Sequence, residues 1–146
     1  MQRTNDNLFI SPLLLITPQL LDEVMAYVIE ANSLFVEDLN RKQLGQGIRA
    51  DGTPIGPYYT KNTVNIKKEK GQPFDRVRLK DTGSFYEKIF VEVFAQSFMT
   101  ESADPKSEEL QQKYGNIFGL TPENKLILAE HIKPQFVDIL KVRIGL

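Results

Sequence analysis

The sequence predicts an α+β fold, with a long N-terminal helix packed on a small antiparallel sheet of three or four strands and one or two C-terminal helices. Threonine–proline pairs at 17–18 and 121–122 mark two helix starts. A two-residue alternation rich in β-forming residues runs from 89 to 94. The 146 residues match one domain in size. We therefore expect residues 1–146 to form a single domain, with an exposed loop or arm at 45–76.

The first helix is expected over residues 18–44. Thr17 can cap its free amides, and Pro18 is tolerated at the first helical position because its missing N–H would have no partner there. Apolar residues then recur at three- and four-residue steps, with Asn32 among them: Leu21, Val24, Met25, Val28, Ala31, Asn32, Phe35 and Leu39. Such a helix would be about 40 Å long, and one longer than a small core needs can present a face to a neighbouring protein.

The middle of the chain alternates between turn-forming and ambiguous stretches. Turn-forming residues at 51–57 predict a loop. Residues 58–70 fit a short helix and an exposed arm equally well. Residues 77–79 are a candidate strand, followed by a polar turn at 81–84.

The remaining elements follow from clearer local signals. In the strand at 89–94, Phe90 and Phe94 make the second face partly apolar, which favours a strand that is central or covered on both sides. Residues 98–101 can return as the second arm of a hairpin. A short helix at 106–114 should end at Gly115. The last helix begins at Pro122, and Pro134 is expected to kink or split it.

Composition excludes several kinds of site. With no cysteine and one histidine, the chain has no disulfide, no thiolate metal site and no multi-histidine site. A net charge of -1 provides no overall field towards nucleic acid or anionic lipid. The apolar stretch 8–16 is too short to span a bilayer and makes a poor secretion signal. We therefore expect a cytoplasmic protein with no cofactor, no metal and no membrane contact.

The catalytic motifs are weak. Asp81-Thr82-Gly83 is the tripeptide of aspartic proteases, whose chemistry needs two such aspartates sharing a proton across a dimer axis. Lys80 precedes it, the upstream half of the chain is helical, and a polar turn between two strands explains it. His131 has no partner at a distinctive spacing. Four carboxylates could hold a divalent ion, although capping and solvation account for them: Glu101, Asp104, Glu108 and Glu109. We predict that the protein is not an enzyme.

One basic segment, residues 58–78, supports a binding hypothesis. Aromatic side chains beside lysines can stack on bases while the lysines neutralise phosphate. The candidate contact residues are Tyr58, Tyr59, Lys61, Lys67, Lys68 and Lys70. Glu69 and Asp75 interrupt the run, and lysine runs are commonly solvated surface. A nucleic-acid-binding accessory protein is therefore the alternative to a structural role.

The order of features over residues 35–120 resembles the neck and tail-completion proteins of tailed bacteriophages, the virion morphogenesis group. The resemblance depends on an aromatic–threonine–lysine sequence at 59–61, a Leu-x-x-Thr-Gly-x-Phe segment at 79–85 and an aromatic–glycine pair at 114–115. It implies that one segment forms a fold-defining turn leading into a hairpin: Leu79, Thr82, Gly83 and Phe85. Residues 117–146 extend past the part that carries the resemblance.

The resemblance also implies a function. Proteins of this group associate into a ring at the head–tail or tail-tube junction and carry no catalytic residues. It implies a structural component of phage or prophage virion assembly, a head–tail connector or tail-completion protein in the bacterial cytoplasm and then in the virion. Its expected partners are further copies of itself, as a ring or other homo-oligomer, and other virion proteins such as portal or tail proteins.

Overall fold

The computed structural model of the protein describes residues 12–146. In chain order its elements are α1 (Pro18–Ala31), α2 (Ser33–Gly45), α3 (Lys61–Glu69), α4 (Ser84–Glu87), β1 (Ile89–Val93), β2 (Phe98–Ser102), α5 (Ser107–Tyr114) and α6 (Pro122–Arg143). One further helical turn, at 12–14, precedes α1. The predicted α+β class is confirmed. Residues 8–11 of the apolar stretch at 8–16, for which we expected no membrane span, lie outside the described residues.

The prediction of one helix over residues 18–44 is wrong, because the chain breaks at Asn32 between α1 and α2. Asn32 has φ -111° and ψ 23°, outside helical values. Its side-chain amide donates to the Val28 carbonyl at 2.8 Å and to Gln135 Oε1 of α6 at 2.8 Å. Its backbone N–H is shared between the carbonyls of Val28 and Ile29. A short amide side chain that bonds the backbone competes with the helical pattern, and here it ends α1.

The predicted hairpin is confirmed. Strands β1 and β2 pair antiparallel, with Ile89 opposite Ser102 and Val93 opposite Phe98. However, within residues 12–146 β1 has one neighbouring strand, and Phe90 and Phe94 remain 36% and 45% exposed. The expectation that this strand is central or covered on both sides is therefore wrong.

The predicted count of three or four strands is also wrong for the described residues, where the sheet has two. The candidate strand at 77–79 forms no ladder. Instead, the Arg78 N–H donates to the Tyr59 hydroxyl at 3.0 Å, and the Tyr86 hydroxyl donates to the Arg78 carbonyl. Leu79 lies in the left-handed region at φ 56°. Because tyrosine side chains satisfy the backbone groups that a neighbouring strand would have satisfied, the segment needs no sheet partner.

The interior consists of two apolar clusters. The first joins α1, α2 and α6, with the hairpin packed against it, and its fully buried members include Val24, Val28 and Val36. The second is built from the end of α2, the turn segment before β1 and the chain around α5: Leu44, Ile55, Val77, Phe85, Tyr86, Ile89, Tyr114 and Ile117. Ile55 thus anchors the otherwise largely exposed 45–76 segment in this second cluster.

Capping threonines fix the starts of α3 and α6. The hydroxyls of Thr60 and Thr121 accept the backbone N–H three residues ahead, each at 3.2 Å. Residues 61–69 of the ambiguous stretch at 58–70 are therefore helical. Pro134 was expected to kink or split the last helix, and it does not split it, because α6 is continuous from Pro122 to Arg143. Pro134 is exposed, so water can satisfy the carbonyl that it leaves unpaired. Among residues 12–146, no helix combines the length and the apolar composition needed to cross a membrane.

Candidate functional site

A cleft of about 610 Å³ lies between α1, the tip of the hairpin and the loop before α6. We call it the hairpin cleft. Its lining is mainly apolar: Met25, Ile29, Val93, Phe94, Met99 and Leu120. Asp22 and Asp51 add two negative charges and Lys125 adds one positive charge. A concave apolar surface of this size fits the apolar side chains of a partner.

The hairpin tip is fixed against α1. The Phe94 N–H donates to the Ser97 carbonyl at 2.7 Å and closes the turn. Gln96 Nε2 then donates to Asp22 Oδ2 at 3.1 Å and links the turn to the first part of α1. The two walls of the cleft are thereby held at a set separation.

A buried polar network holds the floor of the cleft. The Thr100 hydroxyl donates to Asn40 Oδ1 at 2.6 Å and accepts the Gly119 N–H at 2.8 Å. Gln43 Nε2 donates to the Gly119 carbonyl at 3.0 Å, and Gln43 Oε1 accepts the Thr121 N–H at 2.9 Å. Because these buried groups are paired with one another, they fix the loop at 117–121 to α2 and β2.

Sequence reasoning missed this network. Asn40 and Gln43 fall on the same face of α2 as Val36, Leu39 and Leu44, all of which are buried. Polar residues on a core-facing helical stripe are a signal that could have identified them, since a buried amide has to find partners.

A second apolar surface lies between α1 and α6, and we call it the α1–α6 patch. It surrounds a depression of about 320 Å³ lined by the apolar side chains of Tyr27, Ile139 and Val142 and by the charged residues Asp138 and Arg143. Tyr27 is 62% exposed and Val142 is 75% exposed. Tyr27 follows Met25 by two residues, which rotates it by about 200° around the helix axis. The patch and the hairpin cleft therefore face different directions.

The lysines predicted to contact nucleic acid are largely engaged within the chain. Lys67 is buried, and its Nζ lies 4.8 Å from the centre of the Tyr59 ring. Lys68 Nζ lies 5.0 Å from the Phe74 ring. Lys70 Nζ lies 3.3 Å from Asp81 Oδ1, whereas Lys61 is exposed on the first turn of α3.

The predicted stacking tyrosines are engaged as well. Tyr59 packs against the second cluster and accepts the Arg78 N–H, and its burial raises the pKa of its hydroxyl. The Tyr58 hydroxyl donates to the Phe74 carbonyl, although its ring is 55% exposed. Within segment 58–78, Lys61 and the Tyr58 ring thus remain exposed, whereas Lys67 and Tyr59 are engaged within the chain.

The four predicted turn residues lie together. Gly83 adopts φ 91° and begins α4, and the Thr82 hydroxyl accepts the Ser84 N–H at 3.3 Å. Phe85 is buried in the second cluster. With Leu79 they line a pocket of about 420 Å³, which we call the turn pocket. The pocket also brings Tyr59 and Lys67 to this turn and adds three lysines that the sequence did not group with them: Lys80, Lys88 and Lys106.

The weak catalytic candidates have structural partners. Asp81 is exposed, and hydrogen bonds from Gln72 and Lys70 hold the pKa of its carboxyl below the usual range. The His131 ring stacks on Phe35, with ring centres 3.8 Å apart. Asp104 accepts hydrogen bonds from the Lys106 backbone and the Ser84 hydroxyl, which lower the pKa of its carboxyl. Within residues 12–146, no three histidine, aspartate or glutamate side chains are grouped so that they could hold a metal ion.

The chain has no match among protein-family models, among curated proteins or among solved structures. Its function is therefore inferred from the residues and surfaces themselves.

Proposed function

We propose that the protein is a structural component of phage or prophage virion assembly, a head–tail connector or tail-completion protein. It acts by self-association and by docking to portal or tail proteins, first in the bacterial cytoplasm and then within the virion. The observation that carries the proposal is the hairpin cleft, whose apolar side chains remain exposed in the single chain: Met25 is 41%, Phe94 45% and Met99 43% exposed. The resemblance at residues 79–85 supplies the viral setting.

Single exposed apolar side chains are common on protein surfaces. Several of them lining one concave surface are typical of an interaction site. Covering them stabilises a complex by about 25 cal/mol for each Å² of apolar surface removed from water. The wall that carries Phe94 and Met99 is held to α1 and is formed without a partner. A partner can therefore dock without reordering it, which lowers the entropic cost of association.

A second copy of the chain is the occupant that we propose for the hairpin cleft. Within residues 12–146, the hairpin cleft and the α1–α6 patch are both exposed apolar surfaces, and they lie on different sides of α1. If the exposed Tyr27 and Val142 side chains of one copy's α1–α6 patch enter the hairpin cleft of the next, every copy uses both surfaces. Such a head-to-tail contact closes into a ring when the rotation between copies permits it.

Light scattering coupled to size-exclusion chromatography tests this contact. Wild type should elute as an oligomer, and both Phe94→Lys in the cleft and Val142→Lys in the patch should give monomers. Mixing these two variants should restore dimers but no ring, because one intact cleft then faces one intact patch. Leu34→Lys is the matched control, since Leu34 is 65% exposed in α2 and lines neither surface.

A wild-type protein that stays monomeric at the highest attainable concentration would contradict self-association. If Leu34→Lys and Phe94→Lys changed the oligomeric state equally, that would contradict the proposal that the hairpin cleft forms the contact. Mixed variants that fail to form dimers would contradict the head-to-tail geometry.

A further inference from the structure

Lys67 is a largely buried residue whose ammonium group has no counter-ion in the described part of the chain. The residue is 8% exposed, so more than nine tenths of it is removed from solvent. Among residues 12–146 no carboxylate forms an ion pair with its ammonium group, and the centre of the Tyr59 ring lies 4.8 Å from its Nζ. Lys67 lines the turn pocket, so an anion in that pocket would supply the missing partner.

Three further lysines strengthen the positive character of the pocket. Lys80, Lys88 and Lys106 line it, and in the described part of the chain none of them forms an ion pair. The two lining carboxylates, Asp81 and Asp104, already accept hydrogen bonds that lower their pKa values. Four lysines against two aspartates leave an excess of two positive charges around the cavity.

The pocket also has an apolar floor. Tyr59, Leu79, Phe85, Leu110 and Tyr114 all line it. Its volume of about 420 Å³ exceeds what a bare inorganic ion fills and falls in the range of about 300–1,000 Å³ that is usual for small-molecule sites. A matching ligand therefore has an anionic group at one end and an apolar or aromatic body at the other.

We infer that the turn pocket binds a small phosphate monoester, with its phosphate group beside Lys67 and its organic body on the aromatic floor. A phosphate monoester carries about -1.5 to -2 charges at pH 7, which matches the excess of two positive charges. A nucleic-acid strand fits less well, because its extended row of phosphates would meet Asp81 and Asp104 in a bounded cavity. The inference is independent of the proposed role in virion assembly.

Isothermal titration calorimetry on the full chain tests the site, with inorganic phosphate and phenyl phosphate as probes. Both should bind saturably, and phenyl phosphate more tightly, because its ring covers the apolar floor. Lys67→Met keeps the length of the side chain and removes its charge, and it should weaken phenyl phosphate binding by about tenfold or more. Lys61→Met is the matched control on the same helix, since Lys61 is exposed and does not line the pocket, and it should leave binding unchanged.

Lys88→Met provides a second variant should circular dichroism show that Lys67→Met is misfolded, and it should also weaken binding. The inference is overturned if neither phosphate binds saturably, or if Lys67→Met and Lys61→Met lose affinity equally. It is also overturned if phenol binds as tightly as phenyl phosphate, or if a single-stranded oligonucleotide binds through Lys61 with a steep salt dependence. Loss of phosphate binding would leave the oligomer measurements unaffected, so the two proposals fail separately.

Discussion

Replacing Thr100 by valine should destabilise the protein through the polar network beneath the hairpin cleft. Thr100 is 2% exposed in β2, and its hydroxyl joins Asn40 of α2 to Gly119 of the loop before α6. Valine has nearly the same shape and is well suited to a strand. The substitution therefore isolates the loss of two hydrogen bonds from changes in packing or strand propensity.

The expected loss follows from the two groups left without partners. Asn40 Oδ1 and the Gly119 N–H would remain buried, and each unsatisfied group costs about 1–3 kcal/mol. We expect the free energy of unfolding to fall by about 3 kcal/mol, which lowers the melting temperature by about 10 °C in a domain of this size. Urea and thermal denaturation followed by circular dichroism measure both quantities. Thr63→Val is the control, because that hydroxyl bonds only Thr60 at the surface and should cost less than about 1 kcal/mol. Equal losses in the two variants would refute the role of the network.

Two further outcomes follow from backbone geometry and from ionisation. Gly83→Ala should lower the free energy of unfolding by about 1–2 kcal/mol, because Gly83 has φ 91° and a Cβ is disfavoured there. Gly45→Ala, the control, should be neutral or stabilising by up to about 1 kcal/mol. Equal urea midpoints for the two variants would contradict this prediction. The pKa of Asp104 is lower in the folded chain than its ordinary value of 3.8, so its contribution to stability is present above that value and is lost as the pH falls through the folded pKa. Acid denaturation below about pH 5 should therefore be steeper in wild type than in Asp104→Asn, and parallel curves would refute the linkage.

The parts of the fold that the sequence predicted well depend on local signals. The hairpin follows from the two-residue alternation of β-forming residues along β1 and from the turn between its two strands. The end of α5 follows from Gly115, which adopts φ 78°, and the start of α6 follows from the capping Thr121. In each case the residues that determine the structure lie within a few positions of it.

The errors arose where distant residues decide the local conformation. Asn32 ends α1 partly by bonding Gln135, which lies 103 residues further along the chain. The segment around Arg78 leaves the sheet because Tyr59 and Tyr86 satisfy its backbone groups. Neither partnership is visible in the pattern of apolar residues, so periodicity alone predicted a continuous helix and an additional strand.

The candidate surfaces were only partly predictable for the same reason. Met25 was placed on the core-facing stripe of the first helix, yet it is 41% exposed in the hairpin cleft. Periodicity identifies an apolar face but not how much of that face the rest of the chain covers. The lysines were grouped by adjacency at 61–70, whereas the turn pocket joins Lys67 to Lys88 and Lys106, up to 39 residues away.

The failed strand prediction and the turn pocket have a common structural cause. A third strand at 77–79 would have paired the backbone of Arg78 with a neighbouring strand, and its flanking residues would have alternated across a sheet. Instead, two tyrosine hydroxyls hold Arg78, and Leu79 turns into the left-handed region. Leu79 and the turn that follows it then form one wall of a cavity whose lining also includes Lys67 of α3. Departures from local sequence rules concentrate at functional sites, and here the departure builds the pocket for which we infer a ligand.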